Sequence, residues 1–476
     1  MIAALKPYPS MKESGVPWLG NVPKHWELVR LGALVRERGE TNEKGLVSDV
    51  LSVTNDRGVI PYAEKGNIGN KKSEDITRYK IVRPNDIVVN CMNVIIGSVG
   101  ISKYTGCLSP VYYVLTTRNN RDNPSYLNAY FQTKTFQESL VRIGNGILAH
   151  RMRIPMELLK REVFPRPPIE EQEVIVRFLD ISEQRVRRFI RTKQRLVKLL
   201  EEERRATVRR VVTRGPGQVK HLKPSGVEWI GNIPEHWQVR KLGHIARVFN
   251  GTTPSRMQAA YWQDGTIPWL ASGKVNDYVV ETPSELVTER ALRECSISLV
   301  PRGSVILGMI GQGKTRGMSA FLAIDACINQ NLAAIVPRSE LDGRFLHYCL
   351  TAFYEPIREI GRGSNQEALN SEIVRRLRLP IPPLSDQLEI VAYLDLKLAN
   401  LIIPIDHAKR EIALIEEYRT RLMADIVTGK FDVQEIKANL SNEVEVGDSM
   451  LAMDIGGSDE DGLEGEIESV PEGAEP

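Results

Sequence analysis

The stretch Ser14–Gly32, SGVPWLGNVPKHWELVRLG, returns as Ser225–Gly243, SGVEWIGNIPEHWQVRKLG, with 11 of 19 positions identical at an offset of 211. The retained positions include the bulky and constrained ones: Trp18/Trp229, Gly20/Gly231, Pro23/Pro234, His25/His236 and Trp26/Trp237. A second echo follows at offset 215, where PRPPIEEQEVIVRFLD (Pro165–Asp180) aligns with PIPPLSDQLEIVAYLD (Pro380–Asp395). Solenoid units run to about 20–50 residues, so this period repeats a whole domain with its connector. Duplication on that scale gives local two-fold character, which suits a two-part target.

Bulk properties exclude several classes. A length of 476 residues accommodates several domains. No apolar run reaches the ~18 residues that a membrane span needs. The N-terminus lacks the basic, apolar, small-residue pattern of a signal peptide, so the chain is expected to stay in the cytoplasm where it is made. Five scattered cysteines without a CxxC pair fit a reducing compartment and argue against a structural zinc. The net charge of +3 conceals a partition: twelve Asp or Glu and no Lys or Arg follow Lys437, so the preceding chain carries +15 (+3 plus 12). The segment 433–476 is therefore expected to be a disordered acidic tail. It is either a solvated end or an internal mimic of nucleic acid that competes for the basic body.

Each half places the Gly- and Pro-rich entry first and short β-type runs next. These runs are DIVVN (Asp86–Asn90), PVYYVLTT (Pro110–Thr117), SVILGMI (Ser304–Ile310) and NLAAIVP (Asn331–Pro337). Helical stretches follow at Pro124–Leu140 and Gly343–Ile360, which gives an α+β globule in each half. Each half then ends in a heptad seam. In the second half it runs Leu394, Leu398, Leu401, Ile405, Ala408, Ile412, Ile415, Arg419, Leu422, Ile426. In the first half it is Leu179, Glu183, Val186, Ile190, Lys193, Val197, Leu200, Arg204, Thr207, Val211. Two such helices in one chain most simply pair with each other. At about 30 residues each they would be about 45 Å long, enough to hold two globules roughly one DNA turn apart. Arg204 and Arg419 share a seam position and are read as a register device or a shared ion site, or as a solvated slip. Pro404 lies inside the second seam and is expected to kink or briefly break it.

The string GMIGQGKT (Gly308–Thr315) fits the phosphate-cradling pattern GxxxxGK[ST]. Such a loop needs a helix to follow it, and Arg316-Gly317 disfavours one. The alternative places Lys314, Thr315 and Arg316 on an exposed β-turn that touches phosphates or bases. No [DNS]PP[YF] methyltransferase motif, dinucleotide fingerprint, nuclease cluster or metal-spaced histidine pair is present, so no catalytic residue and no metal site is assigned. The first long helix is basic: from Asp180 to Arg214 there are twelve Lys or Arg against five Asp or Glu, whereas Asp395–Lys430 balances six against six. Arg187, Arg188 and Arg191 are therefore assigned to DNA phosphates, with an acidic partner or a solvated helix face as the alternatives.

Polar and aromatic residues beside the predicted strands are the candidate base readers, because Asn and Gln read adenine edges and Arg or Lys read guanine. In the first half they are Asn90, Asn93, Ser98, Ser102, Tyr104, Tyr112, Arg151 and Arg153. In the second half they are Ser255, Arg256, Lys274, Asn276, Asn329, Gln330 and Asn331, together with Lys314, Thr315 and Arg316. The four repeated tryptophans are read as core anchors, and His25 and His236 as structural hydrogen-bonding groups.

With these residues in view, the chain resembles the specificity subunit of type I restriction-modification systems. The resemblance spans Ser14 to about Val433. It rests on YWQDGTIPWLASGKVND (Tyr261–Asp277), on GKTRG with ACINQNLAAI, and on the PPLSDQLEIVAYLD and IVTGKFD ending. The first half contributes CMNVIIGSVGISKYTGCLSPVYYVL and PPIEEQEVIVRFLD. The resemblance implies two target-recognition domains (1–165 and 216–380), each reading half of a split duplex DNA site. Two long antiparallel coiled-coil helices (in 166–215 and 381–432) would separate them in a pseudo-two-fold arrangement. It implies no catalysis and no cofactor in this chain. Two modification subunits would bring S-adenosylmethionine, and restriction subunits held through them would bring ATP and Mg. The PPIEEQ and PPLSDQ segments with their helices would be the docking surface. The chain departs from the family pattern in VVTRG (Val211–Gly215), in Pro404 and in the acidic tail. Two other readings remain: a nucleotide-driven DNA motor using Gly308–Thr315, and an assembly scaffold that reads no bases.

Overall fold

The computed structural model describes residues 5–66, 72–145, 152–218, 220–311, 314–360 and 369–434. Arg151 and residues 435–476 of the expected acidic tail lie outside the described residues, and Val433, placed in that tail by the sequence reading, is buried. The chain forms two compact units. One comprises Met1–Ile190 with Ala413–Pro476, and the other comprises Arg191–Ile412. The division falls within both long helices, so each unit holds one globule and a part of each helix.

In the first unit the entry motif folds back on itself. Met11–Glu13 pairs antiparallel with Asn21–Pro23, and the connection turns on Gly15 and Gly20, at φ of 68° and 65°. The second copy pairs Leu222–Pro224 with Asn232–Pro234 and turns on Gly226 and Gly231, at 71° and 74°. Left-handed backbone at both ends of the turn accounts for the repeated glycines. The next strand, Glu27–Arg30, pairs with Val163–Arg166, which draws the Pro-rich segment from the end of the globule back to its beginning. Gln238–Lys241 and Arg378–Ile381 do the same in the second unit.

The main sheets share a plan. In the first unit the order is Val35–Glu37, Tyr112–Thr117, Ile87–Asn90, Val99–Ile101, all antiparallel. In the second it is Ala246–Asn250, Leu332–Pro337, Val305–Gly308, Ser319–Leu322, Val279–Val280. The last of these pairs parallel with its neighbour, and the others are antiparallel. Both helical stretches expected after the sheets are present, each interrupted. The first divides into Pro124–Phe131 and Lys134–Ser139, the second into Gly343–Ala352 and Tyr354–Ile360.

The long helices run Ile169–Arg214, 46 residues, and Leu384–Val427, 44 residues. At 1.5 Å per residue they are about 69 and 66 Å long, half as long again as the seam suggests. All ten predicted seam positions of the first helix are buried or half-buried, and so are all those of the second except Arg419. Two polar seam residues of the first helix are paired with the second. Glu183 meets Arg419 at 2.5 Å in the first unit, and Lys193 meets Glu411 at 2.6 Å in the second. In the second unit Glu201 also meets Lys409 at 3.0 Å, so rising numbers on one helix face falling numbers on the other and the pair is antiparallel. Such half-exposed pairs stabilise little, about 0–1 kcal/mol, but they fix register. The shared ion site expected for Arg204 and Arg419 is confined to Arg419, because Leu398 stands at the position equivalent to Glu183. The expected break at Pro404 is also absent: the helix is continuous through it. The missing N–H falls on the carbonyl of Asn400, an exposed residue.

The repeated Trp and His of the entry motif meet the repeated acid of the Pro-Pro segment. Trp26 Nε1 donates to Glu171 Oε1 at 2.9 Å, His25 Nε2 lies 2.8 Å from Glu171 Oε2, and the Tyr8 hydroxyl donates to the same carboxylate. In the second unit Trp237 Nε1 and His236 Nε2 meet Asp386 Oδ2 at 3.3 and 3.0 Å. The neighbouring glutamine is internal too. Gln172 donates to Pro167 O at 2.8 Å and accepts from Asn123 N at 2.8 Å. Gln387 donates to Pro382 O at 2.9 Å and accepts from Asp342 N at 2.8 Å. These residues of the expected docking segments thus face inward, and the exposed ones are Pro168, Glu170 and Glu173, with Pro383, Leu384, Ser385, Leu388 and Glu389. Trp26 and Trp237 are core anchors as expected, whereas Trp18 and Trp229 are half-buried under Arg142 and against Phe353.

Glu171 is 1% exposed and serves three donors. Glu171→Ala is expected to cost about 3–5 kcal/mol, because it strands buried donors. Asp386→Ala, at a site with a third of the side chain exposed, is expected to cost about 1 kcal/mol. Urea unfolding of the two variants checks the order.

Candidate nucleic-acid interface

Topologically equivalent hairpins carry six of the sequence-assigned residues, Asn90, Asn93 and Ser98 in one and Lys314, Thr315 and Arg316 in the other. In the first unit the hairpin joins Ile87–Asn90 to Val99–Ile101. Asn90 accepts from Met92 N through its side chain at 3.1 Å, its backbone N donates to Ser98 O, and Gly97 takes a left-handed φ of 85°. Asn93 is half-exposed at the tip, and Tyr112 lies across the ladder from Asn90. Ser98 and Ser102 are buried: Ser98 Oγ donates to Val53 O and Ser102 Oγ to Tyr104 O, so both shape loops and offer no surface. Tyr104 and Arg153 are exposed.

In the second unit the equivalent hairpin joins Val305–Gly308 to Ser319–Leu322 and contains the GKT string. Gly308 N donates to Met318 O, and Gly317 N donates to Gly308 O, both at 2.8 Å. The chain therefore returns as an antiparallel strand, and no helix N-terminus follows Thr315 to face a triphosphate. Lys314 is exposed, Thr315 half-buried and Arg316 buried, so only the first two are presented on the turn.

The other residues of the second unit divide by how they are engaged. Arg256 is gripped: its two terminal nitrogens meet Glu285 at 2.5 and 2.6 Å, and its guanidinium lies 3.7 Å from the Trp262 ring centre. A base edge would have to displace Glu285. Lys274 is tied to Asp277 at 2.7 Å. Asn329 is buried and accepts from Asn331 N, holding the turn that presents Gln330 and Asn331. Ser255 and Asn276 are exposed. On the first long helix Arg187, Arg188 and Arg191 point outward, Arg187 paired with Glu183 at 2.6 Å.

Sequence reasoning missed a basic, aromatic cleft in the first unit. It has a volume of about 460 Å³ and is lined by Tyr62, Lys65, Lys72, Arg78 and Tyr79 together with Ser109 and Tyr112. Lys65 stands 5.1 Å from the Tyr62 ring centre. The available signal was the run KKSEDITRYK (Lys71–Lys80), with four basic residues, a tyrosine and two hydroxyl residues around Glu74 and Asp75.

Behind the second hairpin His347 Nδ1 lies 3.0 Å from Ser319 Oγ, and its Nε2 has no partner. Burial, with Arg344 contributing, pushes the imidazole down to about 3, so it is neutral. Among the described residues no group of His, Cys, Asp and Glu is arranged to hold a metal, and no helix is long and apolar enough to cross a membrane. All five cysteines are free thiols.

The family model for the type I restriction modification DNA specificity domain matches residues 23–198 and again 234–413. The chain belongs to that family. It is 24% identical over 433 residues to the putative type I restriction enzyme MjaX specificity subunit of Methanocaldococcus jannaschii, covering 87% of this chain and 96% of that one. It is 23% identical over 181 residues to the EcoR124I/EcoR124II specificity subunit of Escherichia coli, covering 37% and 42%. Its fold is similar to a chain solved in a study of complex assembly and conformational transition of the type I R-M system. That similarity has a TM-score of 0.66 and 17% identity, and covers 85% of this chain and 98% of the other. The chain is thus a type I restriction-modification specificity subunit, and the nucleotide-loop reading of Gly308–Thr315 has no support.

The neutral His347 has a pH consequence. An unfolded histidine titrates near 6.5. Below that the unfolded chain takes up a proton that the folded one refuses, so stability falls from about pH 6.5 down to about pH 3. His347→Asn, which places there the residue found at the equivalent Asn128, is expected to flatten this slope, at about 1.4 kcal/mol per pH unit where it is steepest. Equilibrium unfolding of both proteins across the range measures it.

Proposed function

We propose that this subunit reads a two-part duplex target, one globule to each half-site, and performs no catalysis. The observation that carries the reading is the contrast between framework and tip. The two globules share strand order and the Trp–carboxylate anchor, yet the equivalent hairpins present CMNVIIGS in one and MIGQGKTRGM in the other. A retained frame with divergent polar tips is what two readers of different sequences require. Asn93, Tyr104, Tyr112 and Arg153 serve one half-site, and Ser255, Asn276, Lys314, Thr315, Gln330 and Asn331 the other. Lys65, Lys72 and Arg78 contact phosphates, as do the outward arginines of the first long helix.

The names of the relatives support an extension to partners. Two modification subunits supply S-adenosylmethionine-dependent methylation, and restriction subunits held through them use ATP and Mg. The chain itself needs no cofactor, and the complex works in the cytoplasm. Replacing the first globule, up to Phe164, with that of another specificity subunit is expected to change one half of the methylated motif and keep the other, as read by methylome sequencing. A change in both halves, or equal affinity for all duplexes, contradicts the two-reader mechanism. The double variant Lys72→Ala, Arg78→Ala is expected to weaken binding equally across sequences. It should also lower the slope of log affinity against log salt by about 1 per lost phosphate contact, as measured by a salt titration of duplex binding.

A further inference from the structure

The first unit contains a second cleft, of about 360 Å³, between its globule and the long-helix segments of the same unit. Its walls include Ser125, Asn128 and Ala129 from the helix Pro124–Phe131, Asp180 and Glu183 from the first long helix, and Arg419 from the second. The charges in it are unequally satisfied. Arg419 and Arg187 both bond Glu183, at 2.5 and 2.6 Å. Asp180 has no ion pair within 4.0 Å among the described residues, and exposed Lys103 acts on it only through space. Asp56, at the rim, faces Arg57 at 3.9 Å. The Asn128 side-chain oxygen is buried without a hydrogen-bond partner.

The second unit indicates what belongs there. The helices Pro124–Phe131 and Gly343–Ala352 start from equivalent caps, Asn123 and Asp342, so Ser125 corresponds to Arg344 and Ala129 to Tyr348. Asp180 corresponds to Asp395 at the offset of the long helices. In the second unit Arg344 meets Asp395 at 2.8 Å, and the Tyr348 hydroxyl donates to Asp395 at 2.5 Å. The chain plugs that position with its own guanidinium and phenol, and Tyr348 is only 3% exposed. In the first unit both plugging side chains are replaced by small ones, while the carboxylate remains. The orphan Asn128 oxygen adds a second acceptor beside Asp180, which favours a ligand that donates from several N–H groups.

We propose that the cleft beside Asp180 is a binding site for the guanidinium of an arginine side chain presented by a partner protein. It reproduces between molecules the Arg344–Asp395 contact made within the second unit. Arginine suits the site better than lysine, because its planar fork spans a carboxylate and a neighbouring amide oxygen together.

The test is calorimetric titration of the full chain with N-acetyl-arginine amide, the matching citrulline amide, and spermidine. Saturable binding of the arginine amide alone is expected, with affinity reduced at least tenfold in Asp180→Asn. The double variant Ser125→Arg, Ala129→Tyr transplants the plug of the second unit. It is expected to melt at a higher temperature than the native chain and to bind no arginine amide. The proposal is overturned if the native chain gives no saturable heat, if citrulline amide or spermidine binds as tightly as arginine amide, or if Asp180→Asn binds unchanged. Binding by the folded double variant at native affinity overturns it as well.

Discussion

Each globule depends on a buried acid–indole contact at the start of its long helix. The carboxylate of Glu171 receives Trp26 and Tyr8 and faces His25, and Asp386 receives Trp237 and faces His236. The same indoles close on the far end of the other long helix. A Cβ on Gly429 would come within 2.8 Å of the Trp26 ring, and one on Gly215 within 3.8 Å of the Trp237 ring. Both glycines take left-handed backbone, at 77° and 79°, and both end their helices. The start of one long helix and the end of the other are therefore gathered at a single tryptophan in each unit. This accounts for the repetition of the entry and Pro-Pro segments at nearly constant offsets: each is one side of the same joint.

The seam of the long helices was legible in sequence because a heptad is its own geometric statement. Apolar residues spaced four and three apart face inward whatever surrounds them. The helix lengths were less legible. The first two turns of each, with the internal Gln172 and Gln387, satisfy the globule and do not follow the seam. The polar seam residues looked like defects in sequence, and Glu183 and Lys193 take meaning only from partners more than 200 positions away. Pro404 misled in the other direction: the helix Leu384–Val427 continues through it.

For the candidate interface, the sequence showed where many of its residues stand in the fold but not how their side chains are engaged. Hairpins that carry Asn, Lys and Thr were placed correctly beside the strands, but side-chain engagement separates presented residues from holding ones. Ser98, Ser102, Arg316 and Asn329 are interior, and Arg256 is already bound to Glu285. The GKT string illustrates the limit. Its residues are those of a phosphate loop, but the strand pairing of Gly308 with its own hairpin leaves no helix dipole to meet a phosphate. The basic cleft around Lys72 and Arg78 escaped because its members come from a hairpin, a short helical turn and two loops. No spacing rule connects them.

The duplication carries a further physical consequence. Two copies of a frame under the same packing constraints keep the residues that meet the joint, and they are free to differ wherever a side chain meets solvent or a ligand. Asp180 and Asp395 fall between these classes. The acid is retained in both copies, but only one copy supplies a cation to it. The Asp180 carboxylate is exposed and without an ion pair among the described residues, and desolvation at the cleft pushes its carboxyl up, toward the neutral form. An external guanidinium would favour the charged form of Asp180, as Arg344 does for Asp395 in the second unit.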